Sequence, residues 1–412
     1  MLVVTANWAF TDGTVVAAAG RGRVGRAWLR GVRRAVVRSG FGRDGAYRPP
    51  DGLDIVLAGD TFDCLASTSW SGRDRPWRSG ARADEARRRV ILGCARRAAP
   101  FLAALAALAR RGLRVPSADR RGRPSAATSV GIPVRITLLP GDRDRSISEV
   151  AAEFAARAAV VAPCWSDGAV FARHGHEFDP ACHVTAAGSA ADRPPTLVES
   201  VAADLLVPFA VALSGTGAVG SVARPLVAAL VDSAPAELPG VIAEWGGPAG
   251  PGGAADDAVR RSVVAAWRRA VEAWLRQARR EPPDCGLAAS PIEPLAAWFH
   301  AADGGAPPGG IAALFDRAAP ASAAGHVLVL GHPPPWSAAI CLGRPPVRRW
   351  SPLSMCRGIA ATEVACVPAS PAPAGPATVA CRLRDGRPEW LWPGAADAAG
   401  GAGAGVEIID AA

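Results

Sequence analysis

The chain of 412 residues contains no lysine, and it has a single asparagine, a single glutamine and a single tyrosine. All 46 basic residues are therefore arginine, and alanine, glycine and proline are abundant, as is typical of a GC-rich coding sequence. Part of the formal net charge of +9 then reflects coding bias. The chain also lacks an uninterrupted apolar run, because proline, glycine and arginine break its longest apolar stretch, 205–231. No transmembrane segment is predicted.

The nine cysteines include no Cys-X-X-Cys pair, and their number is odd. This argues against a zinc ribbon or a disulfide framework and predicts scattered buried thiols in a reducing compartment. The first ten residues lack the basic segment and cleavage site of a signal peptide and resemble a strand. Half of the residues are apolar and a fifth are charged, which is a globular composition. The sequence therefore predicts a cytoplasmic globular protein.

The positive charge is concentrated in the first third of the chain. Residues 1–124 hold 24 arginines and 10 acidic residues, a net charge of +14, whereas residues 125–412 hold 22 and 27, a net charge of −5. Within the first third, Val24–Arg38 is predicted to form a helix with arginines on the face opposite its apolar residues. This distribution favours an anionic substrate or partner, and it leaves nucleic acid or an anionic membrane surface open as partners. Packing of the apolar face on a sheet is the simpler interpretation.

Short apolar runs alternate with helical patterns, which predicts an α/β fold with largely buried strands. The predicted strands are Leu2–Thr5, Asp54–Leu57, Val134–Leu139, Ala169–Ala172 and Val327–Leu330. A second helix is predicted over Asp256–Arg280, with Trp267 and Trp274 in the core. Residues 184–322 are predicted to be a helical insertion or cap. Pro116–Pro133 is predicted to be a loop and 396–412 a disordered tail, because both are poor in apolar periodicity.

Polar motifs follow all five predicted strands. In chain order they are Asn7-Trp8-Ala9, Gly59-Asp60-Thr61-Phe62-Asp63, Gly141-Asp142-Arg143-Asp144, His174-Gly175-His176-Glu177-Phe178-Asp179 and Gly331-His332-Pro333-Pro334. Ligands of open α/β sheets bind where the carboxyl ends of the strands meet, so these motifs are predicted to gather at one edge. A GDxxD motif alone is as common in an ordinary turn as in a site, and a single His after a strand is more often structural than a ligand. The order of the motifs along the chain is informative.

The series GDxxD, GxRD, HGHxxD and GH resembles the calcineurin-like metallophosphoesterase superfamily, whose pattern is DxH, GDxxD, GN(H/R)D, a strand-end His and GHxH. The GxRD form and the helical insertion are most similar to the branch of UDP-2,3-diacylglucosamine pyrophosphohydrolases. The resemblance covers about residues 1–183 and 323–395. It implies an α/β sandwich in which two divalent metals share a bridging Asp, hold phosphate oxygens and activate water.

By this resemblance Asp60 would be the bridging carboxylate and a catalytic residue, with Asp63 fixing its loop. Asp142 would replace the ligating Asn of the family, and His174 and His332 would complete the shell of one metal. Arg143 would hold a phosphate through its guanidinium. Such a mixed oxygen and nitrogen set suits Mn, Fe or Zn.

The sequence departs from the family at the other metal, where Asn7, Ala9 and Pro334 stand in place of the family's ligands. This site is predicted to be empty or weak, with Asn7 its one remaining partial ligand, so one ion is expected rather than two. Replacement ligands are available nearby, although simpler roles are to order a loop or lie on the surface. These candidates are Asp12, His176, Asp179 and His183.

Two functions follow from these expectations. The first is a metal-dependent hydrolase of a phosphate ester or pyrophosphate, weakened by loss of one metal, that acts on a phosphate-bearing small molecule or lipid. The alternative is a non-catalytic protein of the same fold that binds a phosphate-bearing ligand with one metal or none. The sequence does not identify the substrate.

Overall fold

A computed structural model describes the chain in segments. These are residues 1–16, 21–166, 170–176, 179–182, 193–214, 220–233, 235–246, 257–285 and 291–301, with strands at 326–330, 361–366, 377–384, 387–392 and 408–410. The predicted ligand His332 and the candidate His183 lie outside the described residues, as does Pro334.

The protein is a mixed α/β fold. The strands are β1 (Leu2–Ala6), β2 (Leu53–Ala58), β3 (Leu113–Ala118), β4 (Pro124–Ile132), β5 (Val134–Leu139), β6 (Val160–Val161), β7 (Trp165–Ser166), β8 (Val170–Arg173), β9 (His326–Leu330), β10 (Ala361–Cys366), β11 (Ala377–Arg384), β12 (Arg387–Trp392) and β13 (Ile408–Asp410). The helices are α1 (Arg21–Ser39), α2 (Ala81–Arg97), α3 (Ala99–Arg111), α4 (Ala151–Ala155), α5 (Leu197–Ser200), α6 (Val207–Ser214), α7 (Gly220–Asp232), α8 (Leu238–Gly246), α9 (Asp257–Arg280) and α10 (Ile292–Ala301).

The strands form two larger sheets and one hairpin. The first sheet has the order β12-β11-β1-β2-β5-β6, in which β1, β2, β5 and β6 are parallel and β11 is antiparallel to β1. The second has the order β13-β10-β9-β8-β7, with β8, β9 and β10 parallel. The third sheet is the β3–β4 hairpin. All five predicted strands are confirmed, and three of them, β1, β2 and β5, are neighbours in the first sheet.

Strands β1 and β2 of the first sheet are almost completely buried, and β5 is largely so. Val3, Ile55 and Leu57 are fully inaccessible. Helix α1 covers part of this sheet with Trp28, Val32 and Val36. The arginines predicted on its opposite face are exposed, namely Arg26, Arg30, Arg33, Arg34 and Arg38. Parallel strands require helical connections between them, and those helices bury the strands on both sides.

The described secondary structure of the chain between β8 and β9 is helical, from α5 to α10. These helices share a hydrophobic core in which Trp267 and Trp274 are completely buried, as predicted. Both indole N–H groups are satisfied, since Trp267 donates to Phe299 O at 2.8 Å and Trp274 to Ser200 Oγ at 3.0 Å. Two buried tryptophans on one face of α9 therefore stabilise the helical segment rather than line a pocket.

One described helix, Leu197–Ser214, is long and apolar enough to cross a membrane by length and composition, with a mean hydropathy of 1.8. Two thirds of it, 67%, is buried inside the protein. It contains a wide π turn over Val201–Leu206, directly before Pro208, which has no N–H for the regular helical bond. Its burial is that of a core helix, whose apolar surface is already covered by its neighbours.

One sequence prediction is wrong. Pro116–Pro133 is largely the β3–β4 hairpin, because Asp119 accepts backbone hydrogen bonds from Arg121 and Arg123 and closes the turn. Here a turn hydrogen bond outweighs a composition that is typical of loops. Of the tail predicted to be disordered, 396–412, the structure describes only β13, which pairs antiparallel with β10, and the other residues lie outside the described part.

Candidate metal centre

The strand-end motifs that the structure describes meet at one place. The segments after β1, β2 and β5 belong to neighbouring strands, and that after β8 comes from the second sheet. Gly59 lies so close to His174 that a Cβ on Gly59 would be 2.2 Å from the imidazole Cδ2. The predicted residues Asp60, Asp142 and His174 are therefore brought together, with side chains that are nearly inaccessible to solvent.

Among the described residues, one group has the spacing of a metal site. It consists of Asp142, His174 and His176, whose ligand atoms all lie within 4.8 Å of one another. The Nδ1 atoms of His174 and His176 are 3.1 Å apart, and Asp142 Oδ1 is 3.4 Å from His174 Nδ1. Two ligands about 2.1 Å from one tetrahedral ion are about 3.4 Å apart, so these separations fit a shared ion. One carboxylate with two imidazoles suits Zn, Mn or Fe better than Ca.

Asp60 faces the other edge of the same imidazole. Its Oδ2 is 3.6 Å from His174 Nε2, while its Oδ1 accepts a hydrogen bond from Arg143 N at 3.0 Å. The two ring nitrogens of His174 point in different directions, and Asp60 lies near Nε2 whereas Asp142 lies near Nδ1. The predicted shell of Asp60, Asp142, His174 and His332 assigns both carboxylates to one ion, and its fourth member, His332, lies outside the described residues. A carboxylate on the far nitrogen typically fixes the orientation of a metal-binding histidine.

Arg143 and Asp63 fix the loops around this group. Asp63 Oδ1 accepts from the N–H groups of Leu65 and Ala66, both at 3.2 Å, and its Oδ2 accepts from Arg143 Nη1 at 2.7 Å. The prediction that Asp63 fixes its loop is confirmed. Arg143 Nη1 also donates to Val231 O at 2.7 Å, at the end of α7. The guanidinium predicted to hold phosphate therefore also joins the motif to the helical segment.

Asp144 ties the second motif to the third, a role that sequence reasoning missed. Its carboxylate accepts backbone hydrogen bonds from Gly141, Phe62 and Asp60 at 2.6, 3.1 and 3.3 Å. Burial raises the pKa of Asp144 to about 7, although these N–H groups oppose the rise. The last residue of the GxRD motif, Asp144, thus accepts the hydrogen bonds that hold the loop after β2 close to the loop after β5.

The electrostatics of the site favour a bound cation. Burial raises the pKa of Asp60 well above its ordinary value, and the nearby carboxylates of Asp142 and Asp144 raise it further. Burial lowers the pKa of Arg143, but the charges of Asp63, Asp60 and Asp142 outweigh it and keep the guanidinium protonated. Several buried carboxylates around one arginine leave excess negative charge, which a divalent ion would neutralise.

The backbone is strained at the same place. Asn7, Ala9 and Asp60 have φ angles of 59°, 45° and 49°, in the left-handed region that side chains rarely adopt. Asn7 N and Ala9 N donate to Gly59 O and Asp60 O, so the loops after β1 and β2 are bonded directly to each other. Such strain is concentrated at functional sites, where surrounding structure holds it. Asn7 is thereby placed beside the Asp60 loop, while Ala9 offers no ligand atom.

The other candidate ligands have structural roles. Asp12 accepts hydrogen bonds from Thr14 N and Ser67 Oγ, at 2.9 and 2.6 Å. Asp179 accepts from Ala181 N at 2.9 Å and orders the loop after β8, as predicted.

Cys182 is fully buried, and burial raises the pKa of its thiol well above the ordinary value. It is therefore unsuited to be a nucleophile.

A cavity of about 340 Å³ opens beside the metal-binding group. Asp142 and His176 form part of its wall. Its charged lining also includes Arg87, Arg143, Arg145, Arg193, Glu149 and Glu199. The volume is sufficient for a small organic molecule, and four arginines around it favour an anion. Sequence reasoning identified Arg143 but not Arg145 or Arg193, since single arginines in an arginine-rich chain carry no distinguishing pattern.

No protein-family model matches the chain, and no match was found among curated proteins or among solved structures. The geometry of the site is therefore the basis for functional interpretation.

Proposed function

We propose that the protein is a metal-dependent hydrolase of a phosphate ester or pyrophosphate, built on a metallophosphoesterase-type α/β sandwich. One observation carries the proposal: Asp142, His174 and His176 have metal-ligand spacing, and two of them, Asp142 and His176, lie on the wall of an arginine-lined cavity. The strand-end motifs that resemble the calcineurin-like superfamily contain all three residues, and the resemblance assigns two of them, Asp142 and His174, as ligands. The substrate class is a phosphate-bearing small molecule or lipid, and the proposed compartment remains the cytoplasm.

Asp142, His174 and His176 would hold one Mn, Fe or Zn ion. The chemistry that a divalent ion supplies at such a site is polarisation of a phosphoryl oxygen and activation of water. Asp60 Oδ2 lies 3.6 Å from the far ring nitrogen of His174, an ion-pair distance rather than a hydrogen bond, and would favour the orientation in which Nδ1 faces Asp142 and His176. His332, which the resemblance also assigns to this ion, lies outside the described residues.

Arg143 would bind the phosphate next to the ion. Its backbone N–H holds Asp60, and Asp63 and Val231 O fix its guanidinium, so the side chain is positioned before a ligand arrives. Positively charged donors fixed in a half-buried site stabilise the charge that develops on phosphoryl oxygens. With Ala9 in place of a ligand, a second ion lacks its donor set. The proposed hydrolase therefore uses one ion and is slow compared with a two-metal enzyme.

Metal content tests the site directly. After loading with Mn²⁺ and gel filtration, elemental analysis is expected to give one ion per chain. His176→Ala should reduce the apparent affinity for Mn²⁺ by at least tenfold, in the range reported for loss of metal-site contacts. His300→Ala, on α10 and away from the cavity lining, is the matched control and should retain the ion. Equal Mn²⁺ affinity in both variants would overturn the assignment of His176.

Activity distinguishes the hydrolase from the alternative, a binding protein of the same fold. Asn7 and Ala9 stand where the family has metal ligands, which favours that alternative. Hydrolysis is therefore measured on the same protein whose metal content is known. Mn²⁺-dependent release of nitrophenol from bis-(4-nitrophenyl) phosphate should be abolished by Asp142→Ala and retained by Glu293→Gln on α10. One bound ion without hydrolysis above that of the Asp142→Ala protein would establish the binding function instead.

A further inference from the structure

The cavity contains a second charged group, formed by Arg145, Arg193 and Glu199. Arg145 directly follows the Gly141–Asp144 motif and begins the short helical turn Arg145–Val150. Arg193 and Glu199 come from the helical segment, where Glu199 closes a capping box with Thr196 at the start of α5. The group thus joins the strand-end loops to the helices on the other side of the cavity.

The carboxylate of Glu199 is already saturated by its near neighbours. Arg193 Nη1 donates to Oε2 at 2.7 Å and Arg193 Nη2 to Oε1 at 2.5 Å, while Thr196 N donates to Oε2 at 2.9 Å. Arg145 Nε lies 3.8 Å from Oε1, an ion-pair distance without a hydrogen bond. Arg145 is otherwise bonded through Nη2 to Cys182 O. Its guanidinium thus makes no hydrogen bond to Glu199, and its side chain is 26% exposed.

The charge of this group does not balance. Two arginines share one carboxylate, which leaves one excess positive charge on the cavity wall. Burial raises the pKa of Glu199, but Arg193 and Arg145 lower it more, so the carboxylate is ionised at neutral pH. The other two arginines of the lining are balanced by carboxylates. Arg87 Nε donates to both oxygens of Glu149 at 3.0 and 3.2 Å, and Arg143 pairs with Asp63. The excess positive charge is therefore located in the group of Arg145 and Arg193.

We propose that Arg145 and Arg193 form a second anion subsite, and that the substrate is a phosphate ester carrying another anionic group, a carboxylate or a phosphate. This inference rests on the proposed function, in which Arg143 and the metal-binding group take the scissile phosphate. A cavity of about 340 Å³ exceeds the space that one phosphate fills. Guanidinium groups recognise carboxylate and phosphate alike through paired N–H donors, so both anions belong to the same chemical class.

Three non-hydrolysable probes of matched length test the subsite: propylphosphonate, 3-phosphonopropionate and ethylene-1,2-diphosphonate. The first has one anionic group, and the others add a carboxylate or a second phosphonate. Titration calorimetry of the Mn²⁺-loaded protein is expected to show at least tenfold tighter binding of one or both two-anion probes than of propylphosphonate. If 3-phosphonopropionate gains more affinity, the substrate carries a carboxylate, and if ethylene-1,2-diphosphonate gains more, it carries two phosphates.

The affinity ratio compares a two-anion probe with propylphosphonate. Arg145→Gln should bring this ratio close to one, and Arg145→Lys should restore part of the preference for two anions because the positive charge returns. Arg89→Gln, an exposed position on α2, should leave the ratio unchanged. Circular dichroism of each variant checks that the fold is retained, and Arg145→Lys keeps the test decisive if the glutamine variant does not fold. A wild-type ratio of one, or a ratio that Arg145→Gln does not change, would overturn the subsite.

The same titrations in metal-free protein separate this inference from the proposed function. If no Mn²⁺ binds but the two-anion probes still gain affinity through Arg145, the subsite stands and the metal-dependent hydrolase fails. If Mn²⁺ binds and esters are hydrolysed with a ratio of one, the hydrolase stands and the subsite fails.

Discussion

At Gly59 the backbone passes so close to His174 that no side chain fits between them. A Cβ at this position would be 2.2 Å from the imidazole, and the φ angle of +87° is one that glycine alone adopts readily. Gly141 has the same relation to the neighbouring carboxylate, since a Cβ there would be 2.1 Å from Asp60 Oδ1. The two glycines of the strand-end motifs are thus required by the close approach of the side chains that surround the proposed ion.

Gly59→Ala is therefore expected to displace His174 and to weaken Mn²⁺ binding by at least tenfold. Gly45→Ala is the matched control, because Gly45 has a φ of +72° but no atom within 4 Å of an added Cβ. The control should lose about 1 kcal/mol of stability from backbone strain alone and keep its Mn²⁺ affinity. Urea unfolding and Mn²⁺ titration of both variants make the comparison. Equal Mn²⁺ affinity in the two proteins would contradict the steric explanation.

Glu199 gives a prediction about pH. Its pKa lies below the ordinary value because Arg193, Arg145 and Thr196 N stabilise the carboxylate more than burial destabilises it. An acidic group of this kind stabilises the fold above its unfolded-state pKa of about 4.3, and the contribution is lost as the pH falls through the lower folded-state value. Glu199→Gln should cost about 1–3 kcal/mol at pH 7, the range for charged hydrogen bonds, and much less near pH 3.

Urea unfolding between pH 3 and pH 7 measures this difference. Glu293→Gln is the control, since Glu293 pairs with Arg279 on the surface and solvent screens the pair. Its effect should be small at every pH and should diminish with added salt. A loss of stability in Glu199→Gln that is the same at pH 3 and pH 7 would show that the carboxylate charge is not the cause.

At the scale of elements, α1 places its two faces in different surroundings. Trp28 is 5% exposed and contacts the rings of Trp8 and Phe101, with centroids 5.4 and 5.9 Å away. Trp28→Ala should therefore cost about 3–5 kcal/mol, as for other large buried aromatics. Arg30→Ala, on the exposed face, should change the stability by less than about 0.5 kcal/mol. Urea unfolding of both variants measures the two effects.

The same pair of variants tests the anionic membrane surface that the basic first third leaves open. If Trp28 packs on the sheet, Trp28→Ala acts through stability and Arg30→Ala through electrostatics, so only the latter should weaken binding to anionic vesicles at low salt. An unchanged stability of Trp28→Ala, together with lost vesicle binding, would instead show that the tryptophan inserts into lipid.

Elements with a strong local pattern were predictable from the sequence. The buried runs of β1, β2 and β5 are continuous and apolar, and the apolar spacing of α1 and α9 defines those helices to within a few residues. The β3–β4 hairpin was missed because its turn depends on one side chain, Asp119, within an arginine-rich stretch. The pairing of β11 with β1 joins residues far apart in sequence, which no local pattern indicates.

The site was predictable to a similar extent. The motifs identify Asp60, Asp142, Arg143 and His174, and the structure brings these residues together. The close approach of His176 to His174 depends on the conformation of the loop after β8, and the sequence favoured a loop-ordering role for it. The sequence likewise does not indicate which nitrogen of His174 faces each carboxylate, because this depends on the folded structure. Residue identity could be inferred from order along the chain, whereas orientation could not.

At the scale of the whole molecule, polar contacts join the helical segment to the first third of the chain. Arg75 Nε donates to Asp204 Oδ1 at 2.7 Å, and Trp77 Nε1 donates to Glu281 Oε1 at 2.8 Å. Arg143, which lines the proposed substrate cavity, is also bonded to the helical segment, at Val231 O. Each of these two parts of the chain supplies most of one hydrophobic core, and the polar contacts connect the two parts.

The Arg75–Asp204 pair provides the test of this coupling. Burial raises the pKa of Asp204 more than Arg75 lowers it, which indicates that desolvation offsets much of the attraction. Asp204→Leu should cost about 3–5 kcal/mol because it leaves Arg75 without its buried partner. Adding Arg75→Met should recover part of that loss, although Trp70 O and Gly72 O then lose a donor. A double-mutant cycle by urea unfolding measures the coupling, and the exposed pair Arg89–Glu85 should give a value near zero. Additive losses in the Arg75–Asp204 cycle would show that this contact does not couple the two halves.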